Sequence, residues 1–328
     1  MDNLKFYVVL CSHNGSSFIE EQIRSILNNG TAIMAIHIHD FASTDDTRRI
    51  LARLRIEYAE QLNVTYHADA PGASASFIRA LRLIEPLLMD ESLVFLSDQD
   101  DVWLPNKLGT VIDELAARRL APNSPFLLFH DVEVVDENLQ RVRRSYYTGN
   151  PFQIPRDLNR SRLLLANPAI GHTMLMSKAL IHEIISWPMA DNFMMHDWLA
   201  ILVANEIGRV EYIDKQLSLY RQHESNILGA YRTRRRVVSF DRLFQLTDEL
   251  IWQAVNFSQT LRTKGAQRRK NASTNTYLER ICGGGYREAA LALSVLAFSY
   301  GPTWQRKALG FFLFARAFLG PRRKRYTQ

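Results

Sequence analysis

The chain has 328 residues, 47% of them hydrophobic, and a formal net charge of +6, so it is long enough for one large α/β domain with an appendage or for two modest domains. Its two cysteines, Cys11 and Cys282, lie far apart and match no Cys/His metal spacing, which argues against a disulfide framework and a zinc module. The first residues form no basic, apolar leader, so the sequence predicts a protein of the reducing cytoplasm.

Six short apolar runs rich in β-branched and aromatic residues predict β-strands. They cover residues 6–10, 35–38, 64–67, 93–96, 126–129 and 210–213. Amphipathic helical patterns cover residues 17–28, 44–60 and 75–88. The first of these helices opens with a predicted capping box between Ser17 and Glu20. This alternation predicts an α/β fold with a mainly parallel sheet flanked by helices, in which ligands bind beyond the carboxyl ends of the strands.

Positive charge is concentrated in the C-terminal part of the chain. Residues 1–227 contain 21 Lys and Arg against 29 Asp and Glu, whereas residues 228–328 contain 19 against 5. From about residue 228 the pattern changes to helical periodicity interrupted by basic clusters at residues 232–236 and 262–270. The sequence therefore predicts a separate, basic helical region that favours polyanions, either an anionic membrane surface or a nucleic acid.

The last segment of this region, residues 303–325, contains an apolar stretch of about a dozen residues, whereas a spanning helix needs about 20. Its Phe and Leu residues are flanked by Arg and Lys, which is typical of a helix that lies in the membrane interface. A helix packed on the body, with a solvated basic end, is the alternative. Because no recognised nucleic-acid-binding motif accompanies the charge, we favour a membrane surface as the partner.

The strongest local signal is a cluster of carboxylates directly after the strand at residues 93–96. Asp98, Asp100 and Asp101 repel one another, so a folded protein that gathers them usually holds a cation there. Oxygen ligands select hard ions such as Mg²⁺ or Mn²⁺. An ion held by Asp100, with help from Asp98, could bridge the two phosphates of a nucleoside diphosphate. The alternative is a solvated acidic turn in which Asp101 caps the next helix.

Seven segments resemble, in order, the family 2 glycosyltransferases with the GT-A fold and, among them, the rhamnosyltransferase-like branch. The segments are VVLCSHNGSSFIEEQIRSIL (8–27), HDFASTDDT (39–47), PGASASFIRAL (71–81), FLSDQDDVWLPNKL (95–108), NPAIGHTMLMSKAL (167–180), HDWLAILVA (196–204) and YRQHESN (220–226). The resemblance implies a GT-A catalytic domain over residues 1–230, of the Rossmann-like nucleotide-diphospho-sugar transferase type. Residues 231–328 would then form the basic helical region.

The resemblance also implies roles for individual residues. The residues expected to bind the nucleotide sugar are Cys11, His13, Asn14, Asp40, Asp98, Gln99 and Arg221. Asp100 and His223 are expected to hold the metal ion, although a lone His is often structural and Arg221 could instead pair with phosphate oxygens. The second acid of the family's usual Asp-Asp-Gly-Ser-Thr-Asp motif is replaced by Phe41, which leaves the nucleotide base unspecified.

Asp197 matches the family's catalytic base, which would remove a proton from the acceptor hydroxyl in a single inverting displacement. An Asp at the start of a helix could instead cap that helix. Because a helix N-terminus stabilises negative charge, we expect an ionised base without a raised pKa. His172 and Trp198 are expected on the acceptor side, although a buried Trp can also belong to the core.

The rhamnosyltransferase-like resemblance favours dTDP-L-rhamnose as donor and a lipid-linked oligosaccharide or a cell-surface polysaccharide as acceptor. The enzyme would act on the cytoplasmic face of the membrane, in O-antigen or related glycan biosynthesis. Two alternatives come from other classes of protein. One is a catalytically inactive, nucleotide-sugar-binding partner of another transferase, and the other is a basic nucleic-acid-binding protein.

Overall fold

The computed structural model describes residues 4–30, 32–148, 158–223, 240–264, 281, 284–299 and 304–321. The chain divides into two compact units. The first comprises residues 1–150, 169–204 and 208–231, and the second comprises residues 151–168, 205–207 and 232–328. The predicted basic cluster at residues 232–236, most of the one at 262–270, and the final basic run lie outside the described residues.

Nine strands of the described chain form one sheet in the order β3-β2-β1-β4-β8-β6-β9-β5, with β7 paired to β6. They are β1 Lys5–Ser12, β2 Ile33–Phe41, β3 Leu62–His67, β4 Ser92–Ser97, β5 Val102–Trp103, β6 Phe126–Asp136, β7 Arg141–Arg143, β8 Leu175–Ser177 and β9 Arg209–Gln222. The six predicted strands are confirmed. Strands β5, β7 and β8 were not predicted, because two or three residues are too few to show a period.

Ten α-helices are described. They are α1 Ile19–Leu27, α2 Thr47–Glu57, α3 Ala73–Ile84, α4 Lys107–Ala117, α5 Arg160–Leu163, α6 Lys178–Ile185, α7 His196–Ile207, α8 Phe240–Thr263, α9 Tyr286–Ser299 and α10 Trp304–Leu319. The predicted capping box is wrong: α1 begins at Ile19 after Phe18, which has no capping side chain. The Gly15 carbonyl accepts hydrogen bonds from the amides of Phe18 and Ile19 and so starts the helix instead.

The first half of the sheet is parallel, as predicted. Val8 of β1, for example, pairs with Ile36 of β2 on one side and with Phe95 of β4 on the other. Beyond β4 the pairing is mixed, because β8 runs antiparallel between β4 and β6 while β9 runs parallel to β6. The result is an α/β fold in which a mixed sheet is flanked by helices.

The helices hold the sheet by burying one apolar face each. Ile19, Ile23 and Ile26 of α1 are completely buried in the same core as Val8 and Leu10 of β1. Burying each such side chain stabilises the fold by about 1.5–3 kcal/mol. The packing fixes the carboxyl ends of β1, β2 and β4 at one edge of the sheet.

The short strand β5 brings a distant part of the chain to this edge. It follows the carboxylate cluster and pairs antiparallel with β9, so that Val102 lies opposite Leu219 and Trp103 opposite Ser218. The residues that follow Leu219 in β9 consequently run beside the carboxylates that precede Val102. This pairing cannot be inferred from a two-residue strand, and it determines the geometry of the candidate site.

In the second unit, helices α8, α9 and α10 share one buried polar contact. Arg316 donates two hydrogen bonds of 2.7 Å to the carboxylate of Asp248, which also accepts from the Tyr286 hydroxyl. Because an unpaired buried guanidinium is costly, this pair fixes the three helices relative to one another. Within the described residues, no helix is both long and apolar enough to cross a membrane.

Candidate active site

The turn after β1 is hydrogen-bonded to the turn after β2. His13 donates from Nδ1 to the Phe41 carbonyl at 2.6 Å. The Asn14 amide donates to Ser43 Oγ at 2.8 Å, and Asn14 Oδ1 accepts from the Thr44 amide at 2.8 Å. The two turns therefore form one surface at the edge of the sheet, on which the side chains of His13 and Asn14 are exposed.

The same turn is also attached to the carboxylate cluster. The His13 amide donates to Gln99 Oε1 at 2.9 Å, and Gln99 Nε2 donates back to the His13 carbonyl at 3.1 Å. Gly15 makes this contact possible, since a Cβ atom at residue 15 would lie 2.3 Å from Gln99 Oε1. Cys11 lies in β1 just before this turn, and burial, followed by the charge of Asp98, raises the pKa of its thiol well above the ordinary value.

Asp40, which is expected to bind the nucleotide sugar, has a completely buried side chain. Its carboxylate accepts from Arg48 Nε at 2.7 Å and from Ser12 Oγ at 3.2 Å, and it also bonds to the Ser43 hydroxyl. Asp40 therefore holds the turn after β2 in place. The half-exposed guanidinium of Arg48, which also donates to the His67 carbonyl, lies between that turn and the solvent.

The three clustered carboxylates differ in exposure. The side chain of Asp98 is 38% exposed, that of Asp100 is 15% exposed, and that of Asp101 is fully buried. Asp101 forms an ion pair with His172, at 2.9 Å from Nδ1, and accepts from the Arg221 amide at 3.1 Å. Although burial would lower the pKa of His172, the charge of Asp101 raises it. Asp98 and Asp100 are thus the acids that a ligand can reach.

His223 lies beside Asp100. Its Nε2 donates to Asp100 Oδ2 at 2.8 Å, and its ring lies at an angle of 31° to the Phe18 ring, with the centroids 4.9 Å apart. A carboxylate and an imidazole held together at the end of a strand suit a divalent cation. Asp98, Asp101 and His172 also offer ligand atoms within 4.8 Å of one another, so this cluster is a second arrangement that could hold a cation.

Arg221 does not fit the predicted direct contact with phosphate, because its guanidinium is buried and occupied. Its Nε donates to the Asp100 carbonyl and its Nη1 donates to the Glu137 carbonyl, both at 2.7 Å, while Nη2 pairs with Glu21. The guanidinium also lies over the Phe18 ring, 4.6 Å from its centroid. Arg221 therefore positions the backbone of Asp100.

Asp197 is the second residue of α7, and its Oδ2 accepts from the Gly171 amide at 3.1 Å. Burial, and then the charge of Asp98, raise the pKa of Asp197 to about 7. The expectation of an ionised base without a raised pKa is therefore wrong, because burial outweighs the hydrogen bonds at the helix N-terminus. A pKa near neutrality suits a general base.

His172 and Trp198, which are expected on the acceptor side, are both buried. His172 is completely buried, with Nδ1 facing Asp101 and Nε2 at 3.1 Å from Ser218 Oγ. Trp198 is 9% exposed and belongs to the apolar core. The turn that carries His172 nevertheless links the two ends of the site, since its Gly171 amide bonds to Asp197.

Sequence analysis missed Lys107, which supports this turn. Its side chain is completely buried, and Nζ donates to the His172 carbonyl at 3.0 Å and lies 3.9 Å from the centroid of the Trp103 ring. Burial lowers the pKa of Lys107 well below its ordinary value. A Lys that begins a helix after Pro105 and Asn106 normally points into solvent, so the sequence carried no signal for this contact.

Comparison with known proteins identifies the class. The model of glycosyl transferase family 2 matches residues 7–185, more than half of the chain. The crystal structure of S. aureus TarS 1-349 in complex with UDP aligns with a TM-score of 0.56 at 15% identity, covering 97% of this chain and 92% of that chain. The family model and the fold thus define a glycosyltransferase with a GT-A-like fold. The chain belongs to glycosyl transferase family 2, as the resemblance predicted.

Two relatives carry names for specific reactions. The dTDP-rhamnosyl transferase RfbG of Shigella flexneri is 26% identical over 230 residues, which are 67% of this chain and 74% of that protein. The UDP-Glc:alpha-D-GlcNAc-diphosphoundecaprenol beta-1,3-glucosyltransferase WfgD of Escherichia coli is 24% identical over 230 residues, which are 69% of this chain and 81% of that protein.

Proposed function

We propose that this glycosyltransferase transfers L-rhamnose from dTDP-L-rhamnose, with inversion, to a lipid-linked oligosaccharide or a polysaccharide acceptor of the cell surface. The observation that carries the proposal is the turn Gly171–Thr173: its Gly171 amide bonds to Asp197 Oδ2 at 3.1 Å, and Nδ1 of the next residue, His172, lies 3.7 Å from Asp98 Oδ2. The similarity to RfbG supports the rhamnosyl donor, and WfgD supports a lipid-diphosphate-linked acceptor.

In the proposed reaction, Asp197 accepts the proton of the acceptor hydroxyl as its oxygen attacks the anomeric carbon. The bond between that carbon and the diphosphate oxygen breaks on the opposite face, and the nucleoside diphosphate leaves with the bonding electrons. Asp100 and His223, with Asp98 beside them, would hold Mg²⁺ or Mn²⁺, which stabilises charge on a leaving diphosphate. Cys11, His13, Asn14 and Gln99 would line the nucleotide side, with Asp40 and Arg221 acting as positioning residues.

Nucleotide-sugar hydrolysis tests this proposal. The purified protein is incubated with dTDP-L-rhamnose, UDP-glucose or UDP-N-acetylglucosamine in Mn²⁺, Mg²⁺ or EDTA, and the released nucleoside diphosphate is quantified. We expect slow release of dTDP that stops in EDTA. Release of UDP alone would overturn the rhamnosyl donor. Metal-dependent dTDP binding with no release and no transfer to any acceptor would instead favour an inactive, nucleotide-sugar-binding partner of another transferase.

Gly15→Ala is expected to weaken binding of the nucleoside diphosphate. A Cβ atom there would force Gln99 away from His13 and break two hydrogen bonds, at a cost of about 2 kcal/mol or roughly a 30-fold loss of affinity. Titration calorimetry with dTDP and Mn²⁺ measures the change. Gly109→Ala in α4 is the matched control, since a Cβ atom there meets nothing within 4 Å. Equal affinities of the two variants would contradict the prediction.

We propose that residues 1–230 form the catalytic domain and that the basic region at 231–328 binds the anionic cytoplasmic face of the membrane. Helix α10 supports this proposal. Phe311, Phe314 and Phe318 lie on one helical face and are 63%, 45% and 62% exposed, whereas Leu313 and Ala317 are buried. An exposed aromatic face in a segment rich in Lys and Arg is typical of interfacial binding.

Replacing these three Phe residues with Ser is expected to lower partitioning into vesicles by at least about 100-fold, since each Phe contributes up to about 1.5–3 kcal/mol when it leaves water. Co-sedimentation with vesicles of phosphatidylcholine and phosphatidylglycerol in equal parts measures the effect. Ile56→Ser, which removes an 83% exposed apolar side chain from α2, is the control. Undiminished binding of the triple variant would refute the role of α10.

A further inference from the structure

We propose that His196 binds a hydroxyl group of the acceptor sugar next to Asp197, which makes it a specificity-determining residue of the acceptor subsite. The inference rests on the proposed function, because it takes Asp197 to be the base. His196 and Asp197 are the first two residues of α7. Nothing in the sequence pattern separates this His from an ordinary core histidine.

The surroundings of His196 are unusual for a buried histidine. His196 is only 4% exposed, and its ring stacks on that of Phe77 at a centroid distance of 4.0 Å and an interplanar angle of 20°. Neither ring nitrogen has a hydrogen-bond partner in the described part of the chain. A buried polar group without a partner costs about 1–3 kcal/mol, so natural proteins rarely keep one without a use.

His196 and Asp197 converge on one place. A Cβ atom at Gly171 would lie 2.8 Å from His196 Nε2 and 3.7 Å from Asp197 Oδ2. The absence of a side chain at residue 171 therefore allows both functional atoms to approach the same face of the 3₁₀ turn Gly171–Thr173. In the proposed subsite, one hydroxyl of the acceptor sugar faces Asp197 and a neighbouring hydroxyl faces His196.

The chemistry of His196 fits a hydroxyl partner. Burial lowers the pKa of His196 to about 4, although the charge of Asp98 acts in the opposite direction, so the ring is neutral at pH 7. A neutral imidazole has one donor and one acceptor, as a sugar hydroxyl has, whereas an ionised carboxylate only accepts. Asp197 is thus suited to take a proton, and His196 is suited to orient the sugar that loses it.

The test compares His196→Phe, which keeps a planar ring but removes both nitrogens, with His196→Gln, which keeps a donor and an acceptor. Each variant and the wild type are assayed for dTDP-L-rhamnose hydrolysis, for transfer to a panel of octyl hexopyranosides, and for thermal stability. His182→Phe is the control, since His182 is an exposed residue of α6 whose partner is Glu85.

We expect His196→Phe to raise the acceptor KM by about tenfold with little change in kcat, and His196→Gln to recover part of the loss. Hydrolysis, in which water replaces the acceptor, should stay within about twofold of wild type, and the Tm of His196→Phe should not fall. Unchanged acceptor kinetics, a parallel loss of hydrolysis, or a lowered Tm would each overturn the inference. Absence of hydrolysis by the wild type would count against the proposed donor, while the Tm result would still decide whether the His196 nitrogens have protein partners.

Discussion

Asp197→Asn is expected to reduce the rate of sugar transfer by about 10³-fold, because the amide cannot accept the proton of the acceptor hydroxyl. The buried position of Asp197 and its pKa of about 7 also predict that kcat/KM of the wild type rises with pH and levels off above about pH 7. Steady-state kinetics between pH 5 and 9 measure both effects. Affinity for dTDP should be unchanged, because the residue lies on the acceptor side of the proposed reaction.

The same variant should be more stable than the wild type at alkaline pH. The pKa of Asp197 is about 7 in the folded state and near 3.8 when exposed, so the folded state binds the proton more tightly. The wild type therefore loses stability as the pH rises from about 4 to about 7, and Asp197→Asn should not. Thermal unfolding at pH 5 and pH 8 tests this difference, with Asp191→Asn, which removes an exposed partner of Arg82, as control. A variant that lost activity and stability together at pH 8 would indicate a structural role.

Asp100→Ala is expected to abolish the metal dependence of nucleotide binding and to reduce transfer by at least about 100-fold. Asp100 is a reachable carboxylate that lies directly against His223, and an ion held there would supply several kcal/mol of charge stabilisation to the leaving diphosphate. A loss of about 2.7 kcal/mol corresponds to a factor of 100 in rate.

Titration calorimetry with dTDP, in the presence and absence of Mn²⁺, separates this effect from unfolding. The wild type should bind more tightly with Mn²⁺, whereas Asp100→Ala should bind equally with and without the ion. His223→Ala should show a smaller effect, since one carboxylate ligand remains. Asp113→Ala, which removes an exposed carboxylate from α4, controls for the change in net charge. If Asp100→Ala kept its Mn²⁺ response, the ion would have to be held elsewhere.

The local pattern of apolar residues was sufficient to predict the parallel half of the sheet. Strands β1 to β4 follow from apolar runs, and their parallel order follows from the helices between them, because each crossover needs a helix of sufficient length. The antiparallel strand β8 makes the sheet mixed. It has only three residues, too few for the alternating apolar pattern of a strand to be recognised in the sequence. The capping box failed for a related reason: Gly15 starts α1 through its carbonyl, and backbone contacts of this kind leave little trace in the residue pattern.

The sequence by itself determined the family, the strands that end at the site, and the segment in which the reachable acids lie. Only the tertiary structure decided which of the clustered acids are buried and which stay accessible. Asp101 is buried against His172, 71 positions away along the chain, while Asp98 and Asp100 remain reachable. Neighbouring carboxylates look alike in a sequence, but burial and long-range partners set their charge and exposure, and both depend on the pairing of β5 with β9 and on the turn at Gly171.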